Sequence, residues 1–141
     1  IVTGLVGSEM CIRDSTNTFG SAGSIEYAVL DLNVRVLVVM SHQGCGAVKA
    51  AYLKETSFSA SLTELVTDIK TGLTSHGIST DDLSSYNDAC LRHASITATS
   101  LMDTSAPILD AVQNKRLMIQ PAFLHIDPLA ISWLPPLYGR G

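Results

Sequence analysis

The stretch Val34-Arg35-Val36-Leu37-Val38-Val39-Met40-Ser41-His42-Gln43-Gly44-Cys45-Gly46 decides the fold, together with Ala47 to Glu55 (AVKAAYLKE) that follows it. Its first seven residues are aliphatic on both faces except for Arg35, the pattern of a central parallel strand covered on both sides. Ser41 to Gly46 is polar and carries two glycines, which predicts a turn, and 47–55 resumes with strong helix formers. The whole is a strand, loop, helix unit.

Working outward, Ile25, Ala28, Val29 and Leu32 recur at helical spacing, with Ser24 as a candidate cap and Asn33 closing the element. Downstream, Leu62, Leu65, Val66, Ile69 and Leu73 form an amphipathic helix over 61–76, ended by Gly77. Asp81 or Asp82 then caps a long helix to about Met102. Ser105-Ala106-Pro107 starts another, with Pro107 in its first turn and Ile108, Leu109 and Val112 facing inward. Leu117 to Ile126 and Ala130 to Leu134 read as strands joined by Asp127-Pro128, and Pro121 implies an edge or a bulge in the first of them. Strands separated by helices predict an α/β domain with a central, mostly parallel sheet flanked by helices.

Composition narrows the function. The 141 residues are 46% hydrophobic and 16% charged with a net charge of -4, at a sequence pI near 5.4. Nine Lys and Arg without a cluster argue against a nucleic-acid partner. The longest apolar runs, Val34 to Met40 and Leu129 to Leu134, fall far short of the ~20 residues that span a bilayer, so no membrane partner is expected. A soluble, cytoplasmic location is the expectation. Three cysteines do not make a disulfide framework; they imply packing, metal or chemistry.

Leu5 to Ser15 (LVGSEMCIRDS) has neither a helical nor a strand period, and back-translated it resembles a sequencing-library adapter read in frame. Residues 1–15 are therefore set apart as non-native, leaving 16–141 as a single, incomplete domain of 126 residues with Cys45 and Cys90 as its cysteines. Losing Glu9, Asp14 and Arg13 takes the formal charge to -3.

Ligands in open α/β sheets bind beyond the carboxyl ends of strands, which is where His42 to Cys45 falls. An imidazole and a thiol three residues apart, on a turn freed by Gly44, can reach one tetrahedral zinc ion at ~2.0 to 2.3 Å. Cys45 also opens a helix, whose N-terminal dipole favours the thiolate a metal binds. His42 and Cys45 are the candidate metal ligands. The same pair also admits a thiol enzyme, with Cys45 as nucleophile and His42 as base.

Ser24-Ile25-Glu26-Tyr27-Ala28-Val29, the strand Val34 to Met40 and the run Ser41-His42-Gln43-Gly44-Cys45-Gly46-Ala47-Val48 together resemble the zinc-binding core of the beta-class carbonic anhydrases. A weaker resemblance runs through Ser105-Ala106-Pro107-Ile108-Leu109 and the strand pair 117–134. The resemblance implies a zinc-dependent carbonate dehydratase that hydrates carbon dioxide reversibly to bicarbonate and a proton through zinc-bound hydroxide. It implies three protein ligands, of which His42 and Cys45 match two. The third belongs to an upstream Cys-x-Asp-x-Arg motif whose Asp and Arg form the pair that orients the zinc-bound water or competes for the metal. Cys11-Ile12-Arg13-Asp14 has the wrong order and lies in the adapter-like segment, so no catalytic residue is identifiable in this chain. The expectation is an N-terminally truncated, impaired fragment of a zinc enzyme whose intact form is a homodimer or higher homo-oligomer. A non-catalytic binding or regulatory relative of the same fold is the alternative.

The remaining candidates carry less. Cys90 reads as a small core residue, His76 as a partner of a helix C-terminus, His93 as a surface or interface residue and His125 as a satisfied sheet histidine. Trp133 and Pro135-Pro136 read as packing and chain termination, and Asp81-Asp82 as a helix start.

Overall fold

Among the described residues three strands form the sheet, in the order β1 (Val36–His42), β2 (Met118–His125), β3 (Ala130–Trp133). The computed structural model describes residues 19–53 and 57–139, with backbone alone for 19–21. The segment 1–15 read as non-native lies outside these residues. Helix α1 (Phe19–Leu30) precedes β1; α2 (Gly46–Ala50), α3 (Ala60–Ser75), a 3-10 turn (Leu83–Ser85), α4 (Tyr86–Thr104) and α5 (Ala106–Gln113) lie between β1 and β2. The expected α/β fold is observed, with small deviations that have local causes.

β1 and β2 run parallel in the register Val36↔Met118 to His42↔Leu124, and β2 and β3 antiparallel from Ala122↔Trp133 to His125↔Ala130. The middle strand among the described residues is therefore β2, and β1 is an edge. The parallel pairing expected for Val34 to Met40 is observed on one side, and its outer side has no partner among the described residues. An aliphatic run reports what covers a strand's faces, not which strand lies beside it. Leu37, Val39 and Ser41 turn toward α4, and Val39 and Ser41 are buried. Val36 and Val38 point the other way and stay 47% and 45% exposed.

Pro121 sits within the middle strand and is fully buried. It is tolerated because the pairing breaks beside it. From the Ile119↔Leu137 bridge to the Ala122↔Trp133 pair, β2 advances three residues while its partner advances four. The extra residue is a bulge, and it falls where a proline's missing N–H is not needed. Gln120 Nε2 fills the gap by donating to the carbonyls of Leu134 (2.6 Å) and Pro121 (2.9 Å).

Two apolar clusters hold the layers together. Val29 of α1, Val39 of β1, Ala94, Ala98 and Leu101 of α4, Ile108 and Val112 of α5, and Ile119 of β2 form one. Val48 of α2, Ile69 and Leu73 of α3, Cys45, Cys90 and Phe123 form the other. Leu73 and Ile108 are wholly buried; such a side chain contributes about 1.5–3 kcal/mol relative to leaving it in water. Leu109, expected inward, is instead 37% exposed, because α5 turns Ile108, Ala111 and Val112 to the core.

Helix ends follow the expected chemistry with shifted boundaries. α1 begins at Phe19, so Ser24 lies inside the helix rather than capping it. Ser59 caps α3 by accepting from Leu62 N (3.4 Å). Asp82 caps the 3-10 turn through Ser84 N (3.0 Å), and α4 proper begins at Tyr86. Ser105 caps α5 and donates to Glu26 Oε1 (2.6 Å), pinning α1 to the α4–α5 corner. The helix predicted from Ala47 closes at Ala50. Glu55, its predicted end, lies outside the described residues. No helix among the described residues is long and apolar enough to cross a membrane.

Candidate metal centre

His42 is the last residue of β1, and Cys45 is the N-cap of α2, with Gln43 and Gly44 between. The loop turns through Gly44 at φ +70°. A Cβ placed there meets nothing within 4 Å, so the requirement for glycine is conformational rather than steric. Gly44→Ala is therefore expected to cost about 1–2 kcal/mol. A lowered thermal midpoint checks this; an unchanged one contradicts it.

Gln43 ties the loop to the far side of the sheet. Its N–H donates to Leu124 O (2.9 Å), while its Oε1 accepts from Ile126 N (3.0 Å) and Asp127 N (3.4 Å). His42 Nδ1 lies 3.1 Å from Gln43 O. With Nδ1–H as donor, Nε2 is the acceptor nitrogen of the ring, the tautomer that a metal ligand needs.

Cys45 is 5% exposed. Its carbonyl accepts from Lys49 N (3.0 Å) and from the Tyr86 hydroxyl (3.0 Å), which reaches across from the start of α4. Tyr86 packs edge-on against Tyr52 with ring centroids 6.0 Å apart, and Tyr52 Oη lies 2.9 Å from Ser85 Oγ. A tyrosine wall thus sits behind the loop. Cys90 packs beneath it, within reach of the Gly44 and Cys45 amides and the Tyr86 hydroxyl, and burial holds its thiol above the usual cysteine range. Cys90 is a core residue, as its helix position implied, but a core residue under the site.

His93 differs from expectation. It is 7% exposed rather than at a surface, and burial, with a smaller repulsion from His42, lowers its pKa to about 4. The imidazole is neutral at neutral pH. Ser41 Oγ, the neighbour of His42 on the inward face, is buried without a hydrogen-bond partner among the described residues. His76 and His125 are both engaged: His76 Nδ1 lies 2.9 Å from Gly72 O at the end of α3, and His125 Nε2 lies 2.8 Å from Ser132 Oγ across the β2–β3 pair.

The fold brings His42 and Cys45 to one loop, and their donor types suit zinc. Among the described residues no group of three or more His, Cys, Asp or Glu could hold a metal ion. The pair fits in kind and falls short in number. Tyr86, Gln43 and the buried His93 were not singled out by spacing. Tyr86 and Gln43 act through a backbone carbonyl and backbone amides, which leave no pattern in sequence, whereas His93 lies on the inward stripe of α4 with Cys90, Ala94 and Leu101.

The family model for carbonic anhydrase matches residues 6–128. Carbonic anhydrase 2 of Mycobacterium tuberculosis is 48% identical over 48 residues, which make up 33% of this chain and 23% of that protein. A tetrameric beta-carbonic anhydrase of Sordaria macrospora superposes with a TM-score of 0.65 at 21% identity, covering 84% of this chain and 61% of the other. The Coccomyxa beta-carbonic anhydrase, solved with acetazolamide, superposes with a TM-score of 0.65 at 17% identity, covering 87% and 57%. The chain thus spans about three-fifths of the length of these two structural neighbours. The family model spans most of the chain and the fold matches, and the chain belongs to the beta-class carbonic anhydrase family.

Proposed function

We propose that this chain is the larger part of a zinc-dependent enzyme that interconverts carbon dioxide and bicarbonate. The observation that carries the proposal is a loop offering one imidazole and one thiol at the carboxyl end of a strand, in a chain of this family. When bound, the ion supplies Lewis-acid activation of a water molecule. His42 and Cys45 would hold it. Gly44 sets the turn between the two donors, and Tyr86 and Gln43 fix the loop.

The open edge of β1 supports the further reading that a third ligand arrives on another strand. Val36 and Val38 belong to an aliphatic run yet are half exposed, and no strand pairs with the outer side of β1 among the described residues. A parallel strand there would end beside His42. We place an upstream Cys-x-Asp-x-Arg segment on it, its Cys as third ligand and its Asp–Arg pair orienting the water. Without that segment the chain is a weak metal binder and a poor catalyst. The assembled enzyme is a homodimer or higher homo-oligomer in the cytoplasm. Cys45, 5% exposed at the N-cap of α2, is poorly placed to serve as a free nucleophile instead.

Extending the reading frame upstream of Thr16 in the source genome tests this. The expected outcome is a Cys-x-Asp-x-Arg motif and a restored protein that holds about one zinc per chain and hydrates carbon dioxide. A stop codon or unrelated sequence directly before Thr16, or a restored protein that binds zinc without hydrating carbon dioxide, would sink the proposal.

A further inference from the structure

At the opposite end of the sheet, a cavity of about 340 Å³ is lined by Arg35, Lys115, Arg116, Leu117, Met118 and Tyr138. Arg35 immediately precedes β1, and its carbonyl accepts from Met118 N (3.0 Å). The length of β1 separates this cavity from His42, roughly 20 Å at ~3.3 Å per residue. It is a separate place on the molecule.

Its charge is unusual for this chain. Three of the nine Lys and Arg meet here in a protein of net charge -4. Arg116 is offset by Asp110 (2.5 Å), whereas Arg35 and Lys115 enter no ion pair among the described residues. Among the described residues two positive charges thus stand without an ion pair beside Met118 and Tyr138.

Lys115 adds an independent observation. The α5 C-terminus closes with Arg116 N and Leu117 N both on Ala111 O (2.8 and 3.0 Å), and Lys115 takes the left-handed conformation at φ +56°. Glycine is the usual occupant of that position because it adopts the conformation without strain. Here a long cationic side chain occupies it and lines the cavity. Strain at a non-glycine residue is often retained where its side chain has a task.

We propose that this cavity binds a phosphate monoester. Its dianionic head, carrying about -1.5 to -2 charges at neutral pH, matches the cations of Arg35 and Lys115, with Arg35 supplying the fork that phosphate oxygens favour. Its carbon portion rests on Met118 and Tyr138.

Titration calorimetry of the 141-residue chain, with amide shifts mapping the site, tests the assignment using phenyl phosphate, inorganic phosphate and benzoate. Phenyl phosphate is expected to bind most tightly. Inorganic phosphate lacks the carbon contact and benzoate lacks the second charge, and binding should weaken as salt rises. Arg35→Gln should weaken phenyl phosphate about tenfold. Lys115→Gly should weaken it about as much while raising the thermal midpoint of the free protein. A Lys115→Gly chain that is more stable and keeps its affinity would mean that Lys115 serves only the backbone, and would overturn the proposal. So would affinity unchanged in Arg35→Gln, benzoate binding as tightly as phenyl phosphate, or amide shifts away from residues 35 and 115–118.

Discussion

His42→Ala, made in the protein carrying its upstream Cys-x-Asp-x-Arg strand, is expected to take zinc from about one ion per chain to background and to abolish hydration with it. Removing one of three ligands should exceed by a wide margin the ~10 to 100-fold loss that follows removal of an outer partner. The fold should survive. His42 is half-buried at the end of β1, and the ring contact to Gln43 O can be lost without opening the core. Metal content by mass spectrometry, stopped-flow hydration and circular dichroism on the same preparation separate the outcomes. Hydration retained with zinc lost would contradict the ligand assignment. Loss of both together with the helical signal would point to the fold instead.

The second large effect is a loss of stability in acid centred on His93. Its native pKa of about 4 lies below the ordinary 6.5 because burial disfavours the charged ring, and His42 adds a smaller repulsion. The unfolded chain therefore takes up a proton near pH 6.5, while the folded chain resists until about pH 4. The stabilisation from holding His93 neutral is fully present above pH 6.5 and is lost as pH falls through the window down to 4. At 1.36 kcal/mol per unit, the span is about 3 kcal/mol. Urea unfolding at a series of pH values, with His93→Gln alongside, measures it. The variant should flatten the pH dependence between 6.5 and 4. Equal slopes in the two proteins would remove His93 from the account.

The strand, loop, helix unit from Val34 to Ala50 was legible because a β-branched run, a left-handed glycine and strong helix formers each admit few conformations. That His42 and Cys45 share one loop was legible because three residues of chain keep them together. What surrounds them was not. Tyr86 and Cys90 reach the loop from a helix some forty residues downstream, through contacts that depend on how α4 crosses the sheet. His93 was misread although its spacing from Cys90, Ala94 and Leu101 marks the inward stripe of α4. A polar residue type was weighed above its position. The order of the strands was not legible for a different reason: valines on alternating faces speak to the layers above and below, and the strand at the side leaves no trace in their pattern.

Among the described residues the sheet has two unlike rims, β1 with a parallel neighbour and β3 with an antiparallel one. Rims that differ cannot satisfy each other by a simple two-fold exchange. When the β1 rim of one copy meets the β3 rim of the next, the contact is heterologous, and unless its rotation happens to close a ring it adds copies without limit. Val36, Val38 and Trp133, all strongly exposed, would make that growth cohesive. A strand that paired with β1 would therefore also terminate a polymer, turning a surface that could propagate into a molecule of fixed size.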